Sequence, residues 1–95
     1  MIVHTRDLRE LAEMLLNHLE ETGQASVRVD WDYYWFVPRE VAFDPYSKPC
    51  ELSLGQISDD WSTMTKVLSG ELPPVGLTLV EFGMLLRAVG EAARE

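Results

Sequence analysis

The chain is short of the residue types on which chemistry or a membrane location usually depends. It has one cysteine, Cys50, so no disulfide can form within the chain, and this favours a reducing compartment. It has no run of about 18 uncharged apolar residues, and Met1–Arg6 lacks the apolar segment of a signal peptide. We therefore expect a cytoplasmic protein that is not embedded in a membrane.

Positive charge is scarce. Eight lysines and arginines, scattered along the chain, stand against sixteen acids, which gives a formal net charge of −8. A field of this sign repels phosphate backbones, so nucleic acid is not expected as a partner. Between Asp30 and Asp60 seven acids meet two bases, Arg39 and Lys48, which leaves −5 on this third of the chain. Such a region is either a solvated face or a surface that steers a basic protein partner.

Catalytic signatures are also missing. His4 lies near the first residue, His18 falls on the polar flank of a predicted helix, and Cys50 has no base near it in the sequence. The phosphate-binding pattern GxGxxG, the Walker sequence and the hydrolase pattern GxSxG do not occur. We expect neither an enzyme nor a cofactor.

A small-ligand or divalent-metal-binding domain is the alternative. Asp30 and Asp32 share one side of an extended segment beside neighbouring aromatics. Either Asp44 or the pair Asp59 and Asp60 could join them as oxygen ligands for calcium or magnesium. A calcium loop, however, needs a further oxygen ligand, a glycine and a terminal glutamate. Those three positions hold Tyr34, Trp35 and Val41.

One domain over residues 1–95 is expected, because 46% of the chain is hydrophobic and nothing divides it. A first helix is predicted from Thr5, with Asp7 in its first turn, where a negative charge meets the helix dipole. Its apolar residues recur at helical spacing: Leu8, Leu11, Ala12, Leu15, Leu16 and Leu19. Gly23 predicts its end, since glycine adopts positive φ without steric cost.

After Gly23 the apolar period changes to 2, which predicts β-structure. The apolar alternating set is expected in the core: Ala25, Val27, Val29, Trp31, Tyr33, Trp35 and Val37. The other set, which includes Tyr34 and Phe36 among charges, is expected to face outward. Asp30-Trp31-Asp32 is either the interior of one long strand or a turn between strands 26–29 and 33–37. The hairpin is favoured, because a 13-residue strand would be long.

Pro38 ends this pairing, because proline cannot donate to a sheet. Residues 38–50 hold three prolines, Pro38 included, and predict an irregular loop, followed by a short strand at 51–54 that Gly55 ends. A second helix is predicted from Ser58 as its N-cap to Gly70 as its stop. Its predicted buried residues are Trp61, Met64, Val67 and Leu68.

A third helix is predicted from Thr78, with Glu81 completing a capping box. From Leu79 to Ala93 its only charged residues are Glu81, Arg87 and Glu91, and two glycines seven residues apart, Gly83 and Gly90, lie on one face. A helix apolar on most sides is either central in its domain or shared with another subunit. A homodimer through this helix therefore competes with a simple core helix.

These elements predict an α+β fold with an N-terminal helix, a small antiparallel sheet of 2–3 strands, and two C-terminal helices packed on one sheet face. The first and last helices are expected to pack together over the face that carries Val27, Val29, Tyr33 and Trp35.

The aromatic segment 25–46 is the predicted site, since it holds seven of the nine aromatic residues with carboxylates among them. The predicted partner-binding residues form its outward half: Asp30, Asp32, Tyr34, Phe36, Asp44 and Tyr46. We expect a small, acidic, non-enzymatic interaction module of bacterial type whose charge favours a basic protein partner. In general character, without a shared motif, the chain resembles bacterial accessory proteins such as immunity proteins and antitoxins.

Overall fold

The computed structural model describes residues 1–36 and 53–93. Within them the elements in chain order are α1 (Thr5–Glu21), β1 (Tyr33–Phe36), β2 (Ser53–Gln56), α2 (Ile57–Leu68) and α3 (Gly76–Ala92). The α+β prediction is confirmed: an N-terminal helix, an antiparallel strand pair and two C-terminal helices follow one another. The predicted loop after Pro38, with Asp44 and Tyr46, lies outside the described residues.

Two glycines end helices as predicted. Gly23 has φ 87°, its N–H donates to the carbonyl of Glu20 (3.1 Å), and the N–H of Gln24 donates to the carbonyl of Leu19 (2.8 Å). α2 ends with the same pair of bonds around Gly70, which has φ 82°. These bonds are the Schellman motif, which satisfies carbonyls that the helix end leaves without partners. Local sequence chemistry therefore sets both helix ends.

The strand pairing differs from the predicted hairpin. β1 pairs antiparallel with β2, Tyr33 opposite Gln56 and Phe36 opposite Ser53. Residues 24–32 connect α1 to β1 without forming a strand, so both the hairpin and the single long strand are wrong. The partner of β1 is the strand predicted at 51–54, which the structure places at 53–56 with Gly55 inside it. β1 therefore pairs with the strand that follows the loop predicted after Pro38, and not with the residues that precede β1.

Two helix starts also differ. α2 begins at Ile57, directly after β2, and α3 begins at Gly76, two residues before the predicted cap Thr78. Thr78 is the third residue of α3, and its hydroxyl accepts a hydrogen bond from the N–H of Val75 (3.1 Å). This is the side chain that reaches back in a capping box, so Thr78 takes the role predicted for Glu81.

The core is formed by α2 and α3. Its buried apolar residues are Ile57, Met64, Leu85 and Ala88, with Val29 and Tyr34 packed against them. α1 has no buried residue, and Leu15 on its apolar side is 64% exposed. The expected close packing of the first helix on the last is therefore wrong, because grooves lie between them.

The two faces of β1 are the reverse of those predicted. Tyr34 packs against the core, whereas Tyr33 is 59% and Trp35 64% exposed. The period of 2 was predicted correctly, but its phase was wrong. In a strand, a shift of one residue exchanges the two faces completely.

Candidate interaction site

A groove of about 870 Å³ lies between α1, the connecting residues 24–32, and helices α2 and α3. Its apolar lining includes Leu16, Leu19, Val29, Trp31, Trp61 and Leu85. Its acidic lining residues are Glu20, Asp30 and Asp32, and among the described residues no lysine or arginine lines it. We call it the acidic groove. It combines an apolar contact surface with charge of one sign.

The two tryptophans of the acidic groove are both accessible. Trp61 is 57% exposed, so its predicted place in the core is wrong. α2 instead turns Ile57, Asp60 and Met64 inward, and this stripe contains an acid that hydropathy alone would place outside. Trp31 is also exposed, as neither a core residue nor a hairpin tip. The groove therefore presents aromatic side chains to a partner.

Asp32 holds the start of α2. The N–H of Ser58 donates to Oδ1 of Asp32 (2.7 Å) and the Ser58 hydroxyl donates to Oδ2 (2.9 Å). The N–H of Ile57 donates to the Asp32 carbonyl (2.6 Å). Asp32 thus serves as an N-terminal cap from 26 residues away, where a carboxylate also meets the positive end of the helix dipole. Ser58, the predicted N-cap, is a donor in this arrangement.

Replacing Asp32 with alanine is expected to lower the free energy of unfolding by about 1–2 kcal/mol. The N–H and the hydroxyl of Ser58 lose their carboxylate acceptor, and the main-chain carbonyl that accepts from Ile57 is held less firmly in place. Urea unfolding measures the change. Asp30→Ala is the matched control and is expected to change stability by less than about 0.5 kcal/mol, as for an exposed surface residue. Equal losses in the two variants would contradict the capping role.

Asp30 also lines the acidic groove, but its carboxylate has a different partner from that of Asp32. Its carboxylate pairs with the Arg28 guanidinium at 2.8 Å, and both side chains are largely exposed. Exposed pairs of this kind contribute little to stability, about 0–1 kcal/mol. Since Arg28 engages Asp30 and α2 engages Asp32, a cation would have to displace existing partners. Within residues 1–36 and 53–93, no group of three or more His, Cys, Asp or Glu is placed to hold a metal ion.

Tyr34 and Asp60 form a partly buried hydrogen bond beside the core. The Tyr34 hydroxyl donates to Oδ2 of Asp60 at 2.6 Å, and Asp60 is only 7% exposed. Burial, this hydrogen bond, and the charges of Asp60 and Glu81 raise the pKa of Tyr34 far above its usual value, because each disfavours the phenolate. The predicted outward position of Tyr34 is therefore wrong: the residue stabilises the fold.

Only some of the predicted partner-binding residues lie at the acidic groove. Asp30 and Asp32 line the acidic groove, while Phe36 ends β1. Tyr33 and Trp35 of β1 are exposed, although the sequence pattern assigned both to the core. The aromatic and acidic groove residues that the sequence pattern did not predict as contact residues are Glu20, Trp31 and Trp61. The charge of Glu20 on the flank of α1, next to Leu19, was a usable signal, but the groove itself depends on tertiary structure.

Three comparisons with known proteins give no match: no family model, no curated protein and no solved structure matches this chain. Among the described residues, no helix is both long enough and apolar enough to cross a membrane.

Proposed function

We propose that this protein is a non-enzymatic interaction module whose acidic groove binds an amphipathic, basic segment of a partner protein in the cytoplasm. One observation carries the proposal: exposed tryptophans, an apolar lining and three acids meet in a single groove whose described lining has no base. The lone cysteine of the chain supports the reducing compartment.

The apolar lining supplies affinity in this proposal. Trp31 and Trp61 are exposed in the free protein, and burying apolar surface contributes about 25 cal/mol per Å². Tryptophan is enriched among the residues that dominate binding energy at protein interfaces. A groove of about 870 Å³ is also large enough for several side chains of a partner segment. An amphipathic helix, which presents apolar residues along one face, fits such a groove.

The charge supplies orientation and selection. Asp32 is engaged by α2 and Asp30 by Arg28, so Glu20 is the lining carboxylate best placed to receive a partner's lysine or arginine. The net charge of −8 adds a long-range field that attracts basic proteins and repels acidic ones. An inhibitor of a basic enzyme is one form that such a module could take.

A designed helical peptide tests the proposal. The probe carries leucines on one face and lysines on the other, and its matched control replaces every lysine with glutamate. We expect the basic peptide to bind, to quench or shift tryptophan fluorescence, and to bind more weakly as salt is raised, whereas the acidic peptide does not bind.

Trp61→Ala is expected to weaken binding of the basic peptide at least about tenfold, in line with loss of a dominant aromatic contact. Trp35→Ala is the control, because Trp35 is equally exposed but does not line the acidic groove. Glu20→Lys should also weaken binding, while Glu13→Lys, elsewhere on α1, should weaken it less. Equal effects of the two tryptophan variants would show that the peptide binds by general charge attraction and would overturn the site. Proteins retained from lysate by the natural chain but lost by Trp61→Ala are then the candidate partners.

A further inference from the structure

α1 leaves an apolar face without a partner in the described residues. The helix is amphipathic, yet none of its 17 residues is buried. In proteins, most of the stability of an amphipathic helix comes from packing of its apolar face and not from the intrinsic helix propensity of its residues. A second surface that buries this apolar face would therefore stabilise α1.

α1 and the C-terminal half of α3 enclose a second groove of about 460 Å³. Its lining includes Ala12, Leu15, Leu86, Val89 and Gly90. Among its described lining residues there is no Asp, Glu, Lys or Arg, and His18 is the ionisable one. We call it the uncharged groove. It differs in this respect from the acidic groove, with which it shares Leu16, Leu19 and Val89.

We propose that a second copy of the chain covers the uncharged groove, forming a symmetric dimer in which α1 and α3 of each copy pack on those of the other. Two chains of charge −8 repel each other, so they can associate closely only where contact brings no carboxylates together. The uncharged groove meets this condition. A basic partner would find no carboxylate to pair with in the uncharged groove, whereas the acidic groove offers such partners.

The geometry of the two helices suits this contact. The groove is lined by residues between 12 and 19 of α1 and between 86 and 93 at the end of α3, which is about two helical turns from each side. At Gly90 a Cβ would meet no described atom within 4 Å apart from the adjacent residues and the backbone of its own helix, so a helix backbone of the second copy can approach closely. The acids Glu10, Glu13 and Glu21 are exposed and do not line the groove, which leaves them available to solvent in the dimer.

Sedimentation or light scattering across a concentration series tests the dimer. We expect a mass that rises to twice the 10.8 kDa of one chain. Leu15→Gln and Leu86→Gln, which line only the uncharged groove, are each expected to raise the dissociation constant at least about tenfold, because a symmetric interface contains each change twice. Leu68→Gln is the control: Leu68 is 81% exposed on α2 and lines neither groove.

Salt separates this proposal from the proposed function. Screening the repulsion between two chains of charge −8 should leave the dimer unchanged or tighter at high salt, whereas binding of the basic peptide should weaken. Trp61→Ala should reduce peptide binding and leave the dimer intact. A monomer of 10.8 kDa at all concentrations overturns the dimer without touching the acidic groove. A dimer that persists in both Leu15→Gln and Leu86→Gln, or that Leu68→Gln dissociates equally, places the interface elsewhere and also overturns the proposal.

Discussion

Tyr34→Phe is expected to lower the free energy of unfolding by about 2–3 kcal/mol, although it removes a single oxygen. The Tyr34 hydroxyl is the donor to Asp60 at 2.6 Å, and Asp60 is 7% exposed. Without that donor, the Asp60 side chain would stay shielded from water and lose its hydrogen-bond partner, which costs more than the hydrogen bond contributes when intact. Urea unfolding of the two proteins measures the difference.

Tyr33→Phe is the control for this substitution, because Tyr33 is the adjacent residue on the exposed face of β1. Its effect should stay within about 0.5 kcal/mol, as for most surface changes. If both variants were equally stable, the bond from Tyr34 to Asp60 would carry no net stabilisation.

The same variant should remove a dependence of stability on alkaline pH. The pKa of Tyr34 is raised in the folded protein, while in the unfolded chain the phenol ionises near pH 10. Below about pH 10 both states hold the proton, and the contribution of Tyr34 is fully present. Above it the unfolded chain binds fewer protons than the folded one, so stability falls as pH rises. In Tyr34→Phe, the part of the fall in unfolding free energy above about pH 10 that Tyr34 causes should be lost. An unchanged dependence on pH in this range would contradict the raised pKa of Tyr34 as its cause.

Gly55→Ala is expected to lower the free energy of unfolding by about 2–3 kcal/mol, because a Cβ at Gly55 would collide with the aromatic ring of Tyr34. Gly55 lies directly opposite Tyr34 in the pairing of β1 with β2, and the ring lies across it. Its φ is not in the positive region, so space decides the outcome, not backbone strain. Moving the ring would also disturb the hydrogen bond to Asp60. Thermal or urea unfolding measures the loss.

Gly83→Ala is the matched control with the opposite expected sign. Gly83 lies inside α3, and apart from the adjacent residues and the backbone of that helix no described atom lies within 4 Å of a Cβ there, so alanine should stabilise the helix by up to about 1 kcal/mol. The collision can be isolated with Tyr34→Leu, in which the cost of Gly55→Ala should shrink, since residues in contact are not additive. A fully additive double variant would show that the ring of Tyr34 is not the obstacle.

The candidate site was only partly predictable. Asp30 and Asp32 were predicted to lie at a contact surface, and both line the acidic groove. Trp61 and Glu20 were not predicted to lie there, because their positions depend on how α1 and α2 are oriented on the two sides of the acidic groove. Asp32 also has a role that no local pattern indicates: its cap on Ser58 joins residues 26 positions apart. The binding function of the groove stays a prediction until the peptide and its variants are measured.

The sequence by itself determined the fold class, the existence of the helices, the glycine stops of α1 and α2, and the period of 2 in β1. Each of these follows from interactions within a few residues: helical spacing, positive φ at glycine, alternation along a strand. Tertiary structure alone decided the partner of β1, the phase of its two faces and the inward turn of Asp60. These depend on Tyr34, whose ring needs the open space at Gly55 and whose hydroxyl binds Asp60. The sequence pattern placed Tyr34 outside and Trp61 inside. In the fold Tyr34 instead donates a partly buried hydrogen bond to Asp60, 26 residues away, and with Asp60 on the inward side of α2 the next residue, Trp61, is exposed.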